Sequence, residues 1–258
     1  MSPQTLARIL ACLRRDAPAH AWAIQDLTRW PAAARFHHAA DDGPLGLSYL
    51  LESGHPASRG TTTVVLGGQP ASVARLLELH LPSGPLVVRE TDAALEPVVR
   101  ACLPNARSWL EQRMDVTLES FRPAEPHPCR RLVPADAPAL ARFHGAPPQA
   151  AAGMVGWIEG ACLLGAFHAG ELAAIASTMV EIPEVRVLVS IRARDDLRGR
   201  GYGLSVTSAL TGVALAASGV ASLTVRVDNA RAIKVYEALG YVARELRIWI
   251  DHGTGAEP

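Results

Sequence analysis

Ile191-Arg192-Ala193-Arg194-Asp195-Asp196-Leu197-Arg198-Gly199-Arg200-Gly201-Tyr202-Gly203 reads as a strand that passes through a short charged turn into the start of a helix. Glycines at 199, 201 and 203 let the backbone approach a ligand closely. The first amides of the helix that follows have no intrahelical acceptor, so they are open to an anion. The helix dipole adds about 0.3–1 kcal/mol to that preference at an exposed site and up to about 2 kcal/mol when partly buried. Arg198 and Arg200 supply further donors suited to phosphate oxygens.

Several phosphate-binding loops share this physics, and spacing separates them. No Gly-Lys-Ser/Thr follows, which removes a Walker A loop. A dinucleotide fingerprint would need its third glycine at 204, where Leu204 stands, although Gly199, Gly201 and Asp228 fit its other positions. What remains is Arg-x-x-Gly-x-Gly, filled by Arg198, Gly201 and Gly203. Downstream lie Asn229-Ala230-Arg231-Ala232-Ile233-Lys234-Val235-Tyr236-Glu237-Ala238-Leu239-Gly240-Tyr241. The two motifs, in this order and in strand and helix context, resemble the GNAT superfamily of N-acetyltransferases over about residues 130–252.

The resemblance implies acetyl-CoA, or a related acyl-CoA, as co-substrate and an amine as acceptor. It implies a pyrophosphate held by Arg198, Gly199, Arg200, Gly201, Tyr202, Gly203 and Leu204, and a pantetheine arm held by backbone groups of Ile191 and Ala193, with Arg192 between them. Asn229 would hold the cofactor or the strand end, and a plain helix N-cap is its other reading. Tyr236 would give a proton to the departing thiolate, a role typically worth about 10²–10⁴ in rate. Its other reading is an amphipathic tyrosine packed on the sheet. The incoming amine must also lose a proton. Glu181, Glu184, Glu159 and His168 are candidate bases, each readable as an ordinary surface group, and Glu181 is preferred because bases of the family often lie on that side of the sheet.

Working outward, Cys162–His168 and Leu172–Val180 read as a hairpin around Ala169-Gly170, and Val185–Ala193 as a long strand. A strand at Arg131–Val133 and a helix at Asp136–Phe143 open this half, and a buried helix to about Gly219, a strand at Leu223–Val227, a helix at Ala230–Leu239 and a strand at Leu246–Ile250 complete it. Upstream, residues 4–15, Ser72–His80 and Ala93–Cys102 read as helices, and Thr61–Leu66, Leu86–Arg89 and Asp115–Leu118 as strands. Between the halves, Arg122–Pro128 holds three prolines in seven residues and reads as a semi-rigid linker. The expected organisation is an N-terminal α/β domain over 1–122 and a catalytic domain over 123–258. A shift of 137 superimposes Leu86-Val87-Val88-Arg89 on Leu223-Thr224-Val225-Arg226, so the first half reads as a diverged copy. Val99 then falls where Tyr236 stands, and no Arg-x-x-Gly-x-Gly occurs, which leaves that copy without the catalytic motifs. The alternation of strands and helices implies an α/β fold; the resemblance implies that it is GNAT-like, a mixed, mostly antiparallel twisted sheet flanked by helices, with two such domains expected in tandem.

The 258 residues include 25 basic and 25 acidic side chains. A neutral chain lacks the field that draws proteins to nucleic acid or anionic membranes. Cys12, Cys102, Cys129 and Cys162 form no C-x-x-C pair, which argues against a metal site and a disulfide framework and fits a reducing cytoplasm. Gly201–Thr224 carries no charge, yet Ser205, Thr207, Ser208, Thr211 and Ser218 make it too polar for a membrane span. The expected protein is soluble and cytoplasmic, a monomer or homodimer, with no nucleic-acid or membrane partner. Two other classes remain: a non-catalytic acyl-CoA-binding module and a dinucleotide-binding oxidoreductase.

Overall fold

Residues 1–55 and 61–256 are described in a computed structural model, whose internal contacts divide the chain into two units. The first takes Met1–Met114, Thr224–Ala230 and Ala243–Pro258, the second Asp115–Leu223 and Arg231–Val242.

Chain order in the first half is α1 (Pro3–Leu13), α2 (Ala21–Arg29), β1 (Arg35–Ala40), β2 (Leu47–Glu52), β3 (Thr62–Gly67), α3 (Pro70–His80), β4 (Leu86–Asp92), α4 (Glu96–Cys102) and β5 (Arg107–Thr117). Ser2 caps α1 by accepting from the Thr5 amide at 3.1 Å, and Pro3 occupies the first helical turn, where its missing N–H costs nothing. β1–β2 and β2–β3 pair antiparallel, β3–β4 pair parallel with α3 as the crossover, and β4 pairs antiparallel with residues 247–252. Leu50, Val64, Leu66, Leu77, Val88, Ile248 and Ile250 form its core.

The second half repeats this order after one added strand: β6 (Cys129–Arg131), α5 (Ala137–Phe143), α6 (Ala151–Gly160), β7 (Leu163–His168), β8 (Glu171–Glu181), β9 (Arg186–Ala193), α7 (Tyr202–Ser218), β10 (Val220–Arg226), α8 (Ala230–Ala238) and β11 (Val242–His252). Again one parallel pair, β9–β10, spans a crossover helix, and the β6–β7, β7–β8 and β8–β9 pairs are antiparallel. Leu132, Leu140, Ile158, Leu163, Leu172 and Ile175 form the core on the α5–α6 side. β5, β10 and β11 each pass from one unit into the other.

The uncharged run is α7, whose buried hydroxyls are satisfied within the protein. Thr207 and Thr211 donate to the carbonyls four residues earlier, both at 2.7 Å, and Ser205 donates to Gly201 O at 3.1 Å. Ser205 and Ser208 Oγ also accept from the His127 and Ala124 amides, both at 3.0 Å. The proline-rich segment is thereby seated along α7. No helix among the described residues is long and apolar enough to cross a membrane.

The expected strand at Asp115–Leu118 is the end of a longer one, because buried Glu111 and Arg113 interrupt the apolar pattern of β5. The expected N-cap Ser72 lies inside α3, whose cap is Gln69 with Pro70 behind it. The helix expected at residues 4–15 is α1, which ends at Leu13 and runs on into a 3₁₀ turn at Arg14–Asp16, while α2, β1, β2 and α6 add to the elements expected from sequence.

Candidate active site

The turn between β9 and α7 is held open by glycine. Gly199 has φ +81° and Gly201, the N-cap of α7, has φ +89°, a left-handed conformation that costs other residues roughly 1–2 kcal/mol. A Cβ on Gly201 would also stand 2.9 Å from Pro126 Cγ. The backbone ladder of α7 starts at Ser205 N donating to Gly201 O at 2.9 Å, so the amides of Tyr202, Gly203 and Leu204 stand at the open helix end. The turn itself is tied down by Leu197 N to Arg194 O (3.1 Å), Arg198 N to Asp195 O (3.3 Å) and Arg200 N to Leu197 O (3.3 Å). The result is a rigid turn with its free amides at the positive end of a helix.

Its cations are unevenly occupied. Arg198 pairs with Asp195 at 2.6 Å and Arg194 with Asp196 at 2.5 Å. Arg192, Arg200 and Arg231 have no carboxylate at ion-pairing distance among the described residues. Arg231, near the start of α8, sets its Nη2 3.3 Å from where a Cβ on Gly199 would stand, which brings a further guanidinium to the turn from outside it. Exposed ion pairs are weak, so an incoming phosphate can compete for Arg198.

Aromatic rings brace the same turn. His127 stacks on Tyr202 with centroids 3.8 Å apart and planes 11° apart, while its Nε2–H donates to Arg200 O at 2.6 Å. The Tyr202 hydroxyl meets His168 Nδ1 at 2.7 Å. Tyr202 is buried and contributes packing as well as its amide.

β9 leads into this turn with a break in its pairing. The β9–β10 ladder consists of Arg186↔Ala221 and Val187↔Ser222, and β9 runs on through Ala193. Its register with β8 shifts between Ile175/Arg192 and Ser177/Val189, and Ser190 in that bulge has φ +53°. Ile191 and Ala193 lie beyond the last β9–β10 pair, where a ligand can take up strand-like hydrogen bonds.

Tyr236 lies on α8, 94% buried, its ring 5.9 Å from that of Tyr241. Burial pushes its phenol up to about 12, which keeps the proton on at neutral pH. The Tyr241 hydroxyl is bonded to Thr211 Oγ1 at 2.8 Å, whereas that of Tyr236 has no partner among the described residues. Glu181 closes β8. It accepts from Thr178 Oγ1 at 2.5 Å and is ion-paired with Arg186. Asn229 directly precedes α8, exposed, its amide donating to Arg226 O at 3.0 Å.

Residues 163–250 match the family described as FR47-like protein. No curated protein matches the sequence. Among solved structures, a Drosophila protein covers 99% of this chain with 98% of its own at TM-score 0.70 and 15% identity. A tandem GNAT protein from the clavulanic acid biosynthesis pathway covers 99% with 96% of its own, at TM-score 0.58 and 16% identity. The chain has the GNAT fold. A GCN5-related N-acetyltransferase-like protein from Streptococcus suis agrees, at TM-score 0.59 and 13% identity over 95% of this chain and 99% of its own.

The GNAT fold accounts for the repeated element order, and the expectation of tandem GNAT-like domains is borne out. The first copy joins β3 to α3 through Gly68-Gln69 alone, with no arginine-glycine turn. In the second, the structure gathers Arg198–Leu204 at the mouth of α7. Sequence reasoning passed over His127 and Arg231. The first is hidden in a proline-rich stretch, the second fills a variable position of the quoted motif, and only tertiary packing brings either to the turn.

Proposed function

We propose that the chain transfers an acetyl or related acyl group from acetyl-CoA to an amine, with 123–258 as its catalytic segment. The carrying observation is the glycine-hinged turn at Gly199 and Gly201, which presents the first amides of α7 beside Arg200 and Arg231. That donor set suits a pyrophosphate, and the β9 backbone beyond Val187 suits a pantetheine arm. The bound co-substrate supplies an activated thioester carbonyl.

In this reading the amides of Gly199 and Gly201–Leu204, with Arg198 and Arg200, fix the pyrophosphate. Ile191 and Ala193 orient the pantetheine, with Arg192 between them and Asn229 at the start of α8 on the cofactor side. The amine lone pair attacks the thioester carbonyl, the C–N bond forms, the C–S bond breaks, and Tyr236 gives its proton to the departing sulfur. A phenol held at about 12 is protonated when needed and recovers its proton from water. Glu181 is proposed as the proton acceptor for the amine, reached once its pairing with Arg186 is exchanged. We propose a cytoplasmic protein, a monomer or homodimer, without nucleic-acid partners or metal.

The test is free-thiol release from acetyl-CoA across a panel of small amines and peptides with exposed amines. Amine-dependent release supports the reading; affinity for acetyl-CoA without release from any amine contradicts it.

A further inference from the structure

The first unit has a cavity of its own, about 130 Å³, lined by Trp22 of α2, Thr63 of β3, Val87 and Arg89 of β4, and Trp249 of β11. That is several times the roughly 30 Å³ one water occupies. The Arg89 guanidinium is clamped between two indoles, its Cζ 4.3 Å from the Trp22 ring centroid and 4.6 Å from that of Trp249. Stacking of this kind fixes the guanidinium plane and leaves its N–H edge for an acceptor.

That acceptor is missing. Trp22 Nε1, Arg89 Nε and Trp249 Nε1 are all buried and bonded to nothing among the described residues. Glu90 Oε1 forms an ion pair with Arg89 Nη2 at 3.6 Å, beyond hydrogen-bonding reach, and leaves Arg89 Nε unmet. Buried donors are nearly always satisfied, so three unmet ones around a single cavity point to an oxygen-bearing guest.

The repeat explains why Arg89 lacks the carboxylate fork that holds its counterpart. The shift of 137 sets Arg89 on Arg226 and Thr91 on Asp228. In the second copy Arg226 is held by Asp228 through bonds of 3.0 and 2.6 Å. The first copy has a hydroxyl where that carboxylate stands, and Thr91 Oγ1 is engaged by Leu66 N and Arg89 O, both at 3.0 Å. Its guanidinium therefore turns to the tryptophans.

We infer that this cavity binds a small carboxylate, whose oxygens accept from Arg89 and from the indole N–H groups of Trp22 and Trp249 while its short hydrocarbon part rests on Val87 and the rings. A cation is repelled by Arg89, and a neutral amide brings one acceptor oxygen where a carboxylate brings two.

The probe is sodium propionate, followed through the indole N–H resonances of ¹⁵N-labelled protein at constant pH and ionic strength, with Trp22→Phe and Trp249→Phe assigning the two signals. Both signals are expected to move together and saturably with propionate, and not with sodium chloride or propionamide. Arg89→Gln is expected to weaken propionate at least tenfold, with the remaining tryptophan signals unchanged. No saturable movement, equal movement with chloride or propionamide, or full affinity in a folded Arg89→Gln protein overturns the proposal. Should that variant not fold, the wild-type comparison of the three solutes decides it.

Discussion

The His127 imidazole lies flat against the Tyr202 ring, 3.8 Å between centroids, and from that position its Nε2–H reaches Arg200 O at 2.6 Å. One side chain from the proline-rich segment thus braces both the turn and the first residue of α7. Its removal acts on the proposed phosphate site without touching a phosphate donor.

His127→Ala is expected to raise the acetyl-CoA dissociation constant about two- to tenfold, since a stacked pair is worth about 0.5–1.5 kcal/mol. His127→Phe keeps the stack and loses the bond to Arg200 O, so it is expected to fall between wild type and alanine. Isothermal titration calorimetry measures all three. Equal affinity in all of them removes His127 from the site.

Tyr236→Phe is expected to bind acetyl-CoA normally and to turn over about 10²–10⁴ times more slowly, the usual worth of a positioned general acid. Thiol-release kinetics beside calorimetry separates the two effects. Unchanged turnover would return Tyr236 to a packing role.

Gly240→Ala tests the fold rather than the chemistry. Gly240 has φ +91°, and a Cβ there would run into the Ser120 carbonyl, with Ser120 C at 2.8 Å. Left-handed strain and overpacking together predict a loss of about 2–4 kcal/mol, read from the urea midpoint.

Asp26 carries a pH signature. Burial raises its carboxyl from 3.8 to about 6, against the lowering effect of hydrogen bonds from Ser53 and the Gly54 amide. Between those two values the folded protein keeps a proton that the unfolded chain has shed. Its contribution is therefore full below about pH 4 and is lost as pH rises through about 6. Asp26→Asn, which cannot ionise, is expected to be more stable than wild type above pH 7 by about 1–2 kcal/mol and to flatten the decline between pH 4 and 6. Urea denaturation of both proteins at pH 4, 5.5 and 7.5 checks the sign; an advantage of Asp26→Asn over wild type that fails to grow from pH 4 to 7.5 contradicts it.

The second half was legible because its elements are long and its glycines sit where only glycine fits. Gly201 and Gly219 bracket α7 in left-handed conformations, at the two ends where the sequence places that helix. The first half was harder. α2 buries Gln25 and Asp26 along with its apolar residues, β1 is half exposed, and short α4 follows a 3₁₀ turn, so periodicity is weak in each. The bulge at Ser190 left no mark, since serine gives no local signal for positive φ. Nor could the partners of Arg231 or of Arg89 be read, because each depends on residues far away along the chain.

The account stands on the turn at Gly201, and calorimetric titration of acetyl-CoA into wild-type protein and Gly201→Glu tests it most directly. Wild type is expected to bind with a single site. The variant, carrying a bulky carboxylate at a left-handed position 2.9 Å from Pro126 and facing the proposed pyrophosphate, is expected to be folded and silent. A folded Gly201→Glu protein that binds acetyl-CoA as tightly as wild type would contradict the assignment.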